Sequence, residues 1–261
     1  MIMTLLTDFG TQDVYVGVMK GVIASLCPTV PVVDLSHHIP PQDVAAARFA
    51  LLSAYPYFPV GTVHGAVVDP GVGTTRRAIA VQTDRAFLVG PDNGLFSGII
   101  DTVPILGAVA LTQPAYWRVP NPSQTFHGRD IFAPAMAHLA NGVPLHRLGP
   151  SIPIQSLVRL EIPPVRITDQ GIQGVIQYCD RFGNAITTIP ATAVTADAWQ
   201  VVVGDLALEG TTAYGAVPPR QPLALIGSHG YVELAVNQGS AQRQLHLRVG
   251  DAIALRPTVR P

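Results

Sequence analysis

In the first third of the chain, three short apolar runs each end on an aspartate: LLTD at Asp8, VVD at Asp34 and VVD at Asp69. Between them lie DVYVGVMKGVIASLCP and DVAAARFALLSAYPYFP, whose apolar residues recur at helical spacing and which stop at prolines. Strand, helix, strand, helix, strand is the alternation of an α/β layer structure. In open sheets of that kind ligands collect beyond the carboxyl ends of the strands, so the three aspartates are candidates for a site. Turn initiation and helix capping explain the same residues without a ligand. For Asp34 taken alone, that explanation is preferred.

Further on, AIAVQT and AFLVG flank DR as a hairpin, and GPDNGLFSGII reads as a loop entering a short helix. Beyond residue 150 the texture changes. Proline and glycine become frequent, and GVIQYCD, QVVVGDLALEG, PLALIGSHGYVELAVNQG and GDAIAL are short runs separated by turn residues, the pattern of a small barrel or sandwich. The expected organisation is an α/β domain with a central, mostly parallel or mixed sheet over residues 1–155, a linker over 156–166, and a smaller all-β domain over 167–261. No internal repeat is visible.

Composition excludes several classes. Of the 261 residues 48% are hydrophobic and only 13% charged, so the chain is expected to bury a core rather than remain disordered. A formal net charge of -1 gives no field for nucleic acid or for an anionic membrane surface. The longest apolar stretch, TVPILGAVAL, is too short to span a bilayer, and MIMTLLTDFG has no basic leader, so a cytoplasmic protein is expected. Cys27 and Cys179 lack CxxC partners and fit buried thiols.

The motifs that could carry chemistry are less direct. SHHIP and FHGRD contain common metal ligands, but consecutive His37 and His38 point to opposite faces of an extended chain and no HxH or HExxH spacing occurs, so no metal site is expected. Lys20 is the one lysine and falls within a helix, which disfavours Schiff-base chemistry. VVDPGVGTTRR, residues 67–77, is a Gly-rich loop closing on Arg76 and Arg77, yet it has neither P-loop spacing nor the phosphate-binding lysine, and an aspartate stands at its head. Taken alone, an Asp69–Arg76 ion pair holding a glycine loop accounts for it.

Asp8, VVDPGVGTTRR, PDNGLF, FHGRDIF, DRFGN and GSHGYVELAVNQGS occur in this order over nearly the whole chain. Together they resemble the S-adenosyl-L-methionine hydroxide adenosyltransferases, hydrolytic relatives of the fluorinating and chlorinating enzymes that act on the same substrate. The resemblance implies cleavage of S-adenosyl-L-methionine by water to adenosine and L-methionine, without a resident cofactor. It places Asp69, Arg76 and His127 around the nucleophilic water. The halogenating relatives carry tyrosine at the position of Asp69 and serine at that of Gly128, and both departures favour water, because a carboxylate repels a desolvated halide.

Attack at the ribose 5′ carbon expels a neutral thioether from a sulfonium, so no general acid is needed. A carboxylate, with an ordinary pKa of about 3.9, is a poor base for bulk water. Asp69 is therefore expected to orient water and take its proton late, with Arg76 and His127 stabilising developing hydroxide.

The resemblance further implies Asp8 as acceptor for both ribose hydroxyls, Asp13 and Asp180 near the methionine ammonium, and Asn184 on the adenine edge. Phe182 and Tyr214 are flat surfaces against the base, and Ser228 lies near the substrate amino acid. Two departures stand out. The halogenating relatives have DHPFGN where this chain has the shorter DRFGN, and Arg where this chain has His229; a neutral His cannot clamp a carboxylate bidentately, so a protonated His229 is expected to substitute only in part at the methionine carboxylate. The resemblance also implies a homotrimer with sites between subunits. The alternatives are halogenation of the same carbon, or a non-catalytic adenosine or S-adenosyl-L-methionine binding module.

Overall fold

Alternation of buried strands with amphipathic helices carries through to the tertiary structure. The computed structural model describes residues 1–169 and 171–258. The chain divides into two compact units, Met1–Leu160 and Glu161–Pro261, against a sequence-based linker at 156–166.

The first unit contains β1 (Met3–Thr7), α1 (Tyr15–Leu26), β2 (Val32–Ser36), α2 (Val44–Ala54), β3 (Thr62–Val67), β4 (Ala78–Thr83), β5 (Ala86–Pro91), α3 (Ser97–Ile100), β6 (Ile105–Ala110) and α4 (Ala133–Ala140). Its six-stranded sheet has the order β2-β1-β3-β5-β4-β6. The pairs β1–β2, β1–β3 and β3–β5 are parallel, whereas β4 runs antiparallel to both β5 and β6, so the sheet is mixed. The β4–β5 pair is the hairpin expected around Asp84-Arg85.

α1 buries Val16, Met19 and Ile23, one stripe at helical spacing, and packs on α4. Met19 and Ile23 join Met3, Leu5, Val63, Phe132 and Met136 in one core cluster, each such side chain contributing about 1.5–3 kcal/mol by burial. α2 packs on α3. The chain steps from β1 outward to β2 and then back past β1 to β3, so right-handed crossovers put α1 and α2 on opposite faces. The Asp43 side chain caps α2, accepting from the Ala46 backbone N–H at 2.8 Å.

The described residues of the second unit form strands, the short helix α5 (Ala241–Gln244) and the 3-10 turns Ala191–Ala193 and Tyr214–Ala216. Its strands are β7 (Arg166–Thr168), β8 (Gly171–Cys179), β9 (Ala185–Pro190), β10 (Trp199–Val203), β11 (Leu206–Thr211), β12 (Pro222–Ile226), β13 (Tyr231–Val236) and β14 (Ala252–Pro257). The order β14-β10-β11-β12-β13-β9-β8 closes on itself because β14 also pairs with β8, which decides between barrel and sandwich; β7 lies outside the ring against β8. Ile172, Ile176, Ile189, Val201, Leu208, Val232, Leu234 and Ile253 fill its core. No helix among the described residues is long and apolar enough to cross a membrane.

Candidate active site

Sheet order decides which of the three aspartates can meet. β1 and β3 are neighbours and β2 is at the edge, so Asp8 and Asp69 emerge side by side at the switch point while Asp34 is carried away. Asp8 and Asp69 both line a cavity of about 310 Å³, together with Phe9, Gln42, Phe126, His127 and Gly128. Asp34 is engaged instead by Lys20 at 2.6 Å and His37 at 3.0 Å, a structural pairing at the sheet edge. His37 is buried and His38 exposed, as their alternation requires.

The glycine-rich loop is explained by close approach rather than by phosphate. Gly73 has φ +77°, and a Cβ there would be driven into the backbone carbonyl oxygen of Gln124. The loop can thus lie directly against the segment that carries His127. Across this contact Arg76 makes a bidentate pair with Asp69, donating from Nε to Oδ1 at 2.9 Å and from Nη2 to Oδ2. The same Nη2 lies 2.7 Å from His127 Nδ1. A guanidinium has only donors, so Nδ1 accepts and the ring proton sits on Nε2.

Burial, and after it the Arg76 charge, pushes the His127 pKa below its ordinary 6.5. His127 is a neutral N–H donor near pH 7. Asp69 and Arg76 side chains are only 6% and 10% exposed, and Phe132 lies beneath the guanidinium with its centroid 5.4 Å away. At Gly128 a Cβ would stand 3.0 Å from Met19 Sδ and 3.1 Å from Phe126, so a serine there requires both neighbours to give way.

Asp8 is held by the backbone N–H of Gln42, which donates to Oδ2 at 2.8 Å. Gln42 adopts φ 67°, uncommon for a residue with a Cβ, and this conformation aims its N–H at the carboxylate. Asp13 is exposed and lines neither this cavity nor that of the barrel.

In the second unit a cavity of about 650 Å³ brings together Asp180, Phe182, Asn184, Tyr214, Ser228 and His229, the whole barrel set expected from the sequence. Asn184 donates to Asp180 from its backbone N at 2.8 Å and from Nδ2 at 3.1 Å, leaving its side-chain carbonyl for a ligand donor. Phe182 is 76% and Tyr214 44% exposed, flat apolar surface offered to solvent.

Glu233, missed in the sequence, also lines this cavity. It is 3% exposed and accepts from Tyr214 Oη at 2.8 Å and from His229 Nε2 at 3.0 Å. Burial, and then the hydrogen bond to Glu233, pushes the Tyr214 hydroxyl up to about 12. His229 Nδ1 accepts from the Tyr231 backbone N–H at 3.2 Å, so both ring nitrogens are engaged within the barrel. The ring is therefore not presented as a carboxylate clamp. The available signal for Glu233 was a lone charge within the apolar run YVELAV.

Comparison with known proteins identifies the family. Residues 3–149 match the family described as SAM hydroxide adenosyltransferase N-terminal domain, and residues 174–254 its C-terminal domain. The chain is 45% identical over 260 residues to the (R)-S-adenosyl-L-methionine hydrolase of Thermus thermophilus, covering 96% of this chain and 97% of that protein. A fluorinase of Nocardia brasiliensis is 28% identical over 295 residues, covering 98% and 96%. The crystal structure of an uncharacterized conserved protein from Thermotoga maritima superposes with a TM-score of 0.90 at 35% identity, covering 97% of this chain and 100% of that one.

Proposed function

The chain belongs to the SAM hydroxide adenosyltransferase family, and from that premise we propose that it is a hydrolase that converts S-adenosyl-L-methionine, water being the nucleophile at the ribose 5′ carbon, to adenosine and L-methionine. The observation that carries this reading is the contiguous Asp69–Arg76–His127 cluster, of which Asp69 and His127 line one cavity with Asp8. Following the name of the Thermus relative, the preferred substrate is the epimer with (R) configuration at sulfur.

Water oxygen forms the new C–O bond as the C–S bond breaks, and the C–S electron pair leaves on sulfur as a neutral thioether. One proton must depart. His127 cannot take it at Nδ1, whose lone pair is committed to Arg76, and instead offers Nε2–H to the developing hydroxide. Each Asp69 oxygen, after its bond to Arg76, retains a lone pair to align the water and receive the proton as attack completes. Asp8 accepts from the two ribose hydroxyls. Phe182 and Tyr214 take the adenine faces, Asn184 its edge, and Asp180 with Asp13 the ammonium, while Ser228 serves the amino-acid end.

The same reading makes the enzyme a cytoplasmic homotrimer without a resident cofactor. Departure of a neutral thioether needs neither metal nor acid, and free Cys27 and Cys179 suit a reducing compartment. The ligand residues are divided between two units, which supports completion of each site by a neighbouring subunit. The decisive test is to incubate each sulfur epimer in oxygen-18 water containing chloride and to weigh the products. Labelled adenosine with methionine, faster from the (R) epimer, is expected; halogenated adenosine would move the protein to the halogenating branch, and intact but bound substrate would make it a binding module.

A further inference from the structure

The tripeptide Pro91-Asp92-Asn93 lies outside the cavity that holds the cluster, yet its side chains reach both ends of the loop that builds it. We propose that Asp92 and Asn93 are positioning residues that pin the loop from Asp69 to Arg76 at its two stems and thereby set the Asp69–Arg76–His127 geometry. The proposal rests on the reading that this cluster handles the attacking water.

At the first stem, Asn93 Nδ2 donates to the carbonyl of Val68 at 2.8 Å, immediately before Asp69. Asn93 Oδ1 accepts from Leu95 N at 3.3 Å, which fixes the amide so that its NH2 faces Val68. At the second stem, Asp92 N donates to the carbonyl of Arg77 at 3.0 Å, and Arg77 Nε donates to Asp92 Oδ2 at 2.8 Å, immediately after Arg76. Asp92 is 6% exposed. Its other oxygen accepts from Val158 N at 2.9 Å, and Arg77 continues to Ser156 Oγ at 2.9 Å and to the Ser156 carbonyl. The two stems are thus held by adjacent residues of a single turn.

Within the loop the bonds are local: Val72 N to Asp69 O at 3.2 Å, Thr74 N to Gly71 O at 3.2 Å, and Thr74 Oγ1 to the same carbonyl at 2.7 Å. Such turns shape the loop without setting the separation of its ends. A fork between side chains seven residues apart needs that separation fixed, and a shift of about 1 Å at a reacting centre can cost about 100-fold in rate. Arg76 and Arg77, consecutive on an extended chain, divide the work: one points to the cluster and the other to the clamp.

Asn93→Asp tests the proposal, because it keeps the shape and replaces the donor with an oxygen facing the Val68 carbonyl. The expected result is a folded enzyme with kcat lowered about 10- to 100-fold and KM within about threefold of wild type. Imidazole 15N shifts of His127 should show loss of the accepted bond at Nδ1. Wild-type kcat in Asn93→Asp, or a lowered Tm with kcat and the His127 shifts unchanged, would overturn the proposal. Should that variant fail to fold, Arg77→Lys is read the same way, with a smaller fall in kcat. If the wild type itself releases no adenosine, the hydrolase reading fails, while the His127 shifts of the variant still decide the clamp.

Discussion

At the strand-end cavity Asp69, Arg76 and His127 meet one another's hydrogen-bonding needs at 6–10% exposure for the ion pair, so the charged groups are aligned by the fold itself. In the barrel cavity the carboxylate of Glu233 is equally sheltered, but the aromatic faces of Phe182 and Tyr214 stand in solvent. One cavity is organised around charge already fixed in place, the other around apolar surface still to be covered. Preorganised dipoles lower a barrier because they need not reorient during reaction; exposed rings contribute only when a ligand displaces their water. Under the proposed hydrolase function, the difference would divide the work, with turnover at the strand ends and affinity in the barrel.

Asp69→Asn is the severest challenge to that division. It should lower kcat by about 1,000-fold while KM stays within about tenfold, measured by adenosine release; unchanged kcat would remove Asp69 from the reaction. Next in size, Gly73→Ala forces a Cβ against the Gln124 carbonyl at a φ that alanine resists. A kcat at least about 100-fold lower and a reduced Tm are expected from calorimetry and kinetics together. Phe182→Ala sharpens the contrast from the other side. Base stacking is worth about 1–3 kcal/mol, so KM should rise about tenfold or more with kcat and Tm nearly unchanged. A fall in kcat without a rise in KM would erase the distinction.

The smallest effect concerns pH. With its pKa held below 6.5, His127 remains neutral from pH 7 upward, and kcat should change by less than about twofold between pH 7 and 8. As pH falls through that lowered pKa, a proton on Nδ1 would face the Arg76 N–H groups and break the cluster, so activity declines on the acid side. Buried His64, with its pKa lowered to about 4 by desolvation, acts on stability in the same direction. The unfolded chain binds its proton first, so stability is lost between pH 6.5 and about 4, by up to about 3 kcal/mol, a loss that urea unfolding of His64→Gln should lack.

Much of this was legible before the fold was known, because strand ends, crossover helices and the β4–β5 turn are local signals. A shared site for Asp8 and Asp69 was implied by the resemblance and Asp34 was already set aside, but the physical reason for both, the sheet order, was not visible in the sequence. The barrel residues were found through resemblance; Glu233 escaped because a charge in YVELAV reads as the solvent-facing position of an alternating strand. Gln42 escaped for a different reason. Glutamine carries no turn signature, and only the backbone reveals its positive φ.

Gln173 of β8 is opposite Arg166 of β7 on one side and Ala254 of β14 on the other. Entry and exit strands of the barrel unit therefore flank a single strand, about 10 Å apart. Such a unit is topologically a ring with its seam at β8. Joining the two ends by a short peptide and reopening the chain at the exposed Gly204–Asp205 turn would preserve the strand ladders described here, making the barrel a permutable, transplantable module.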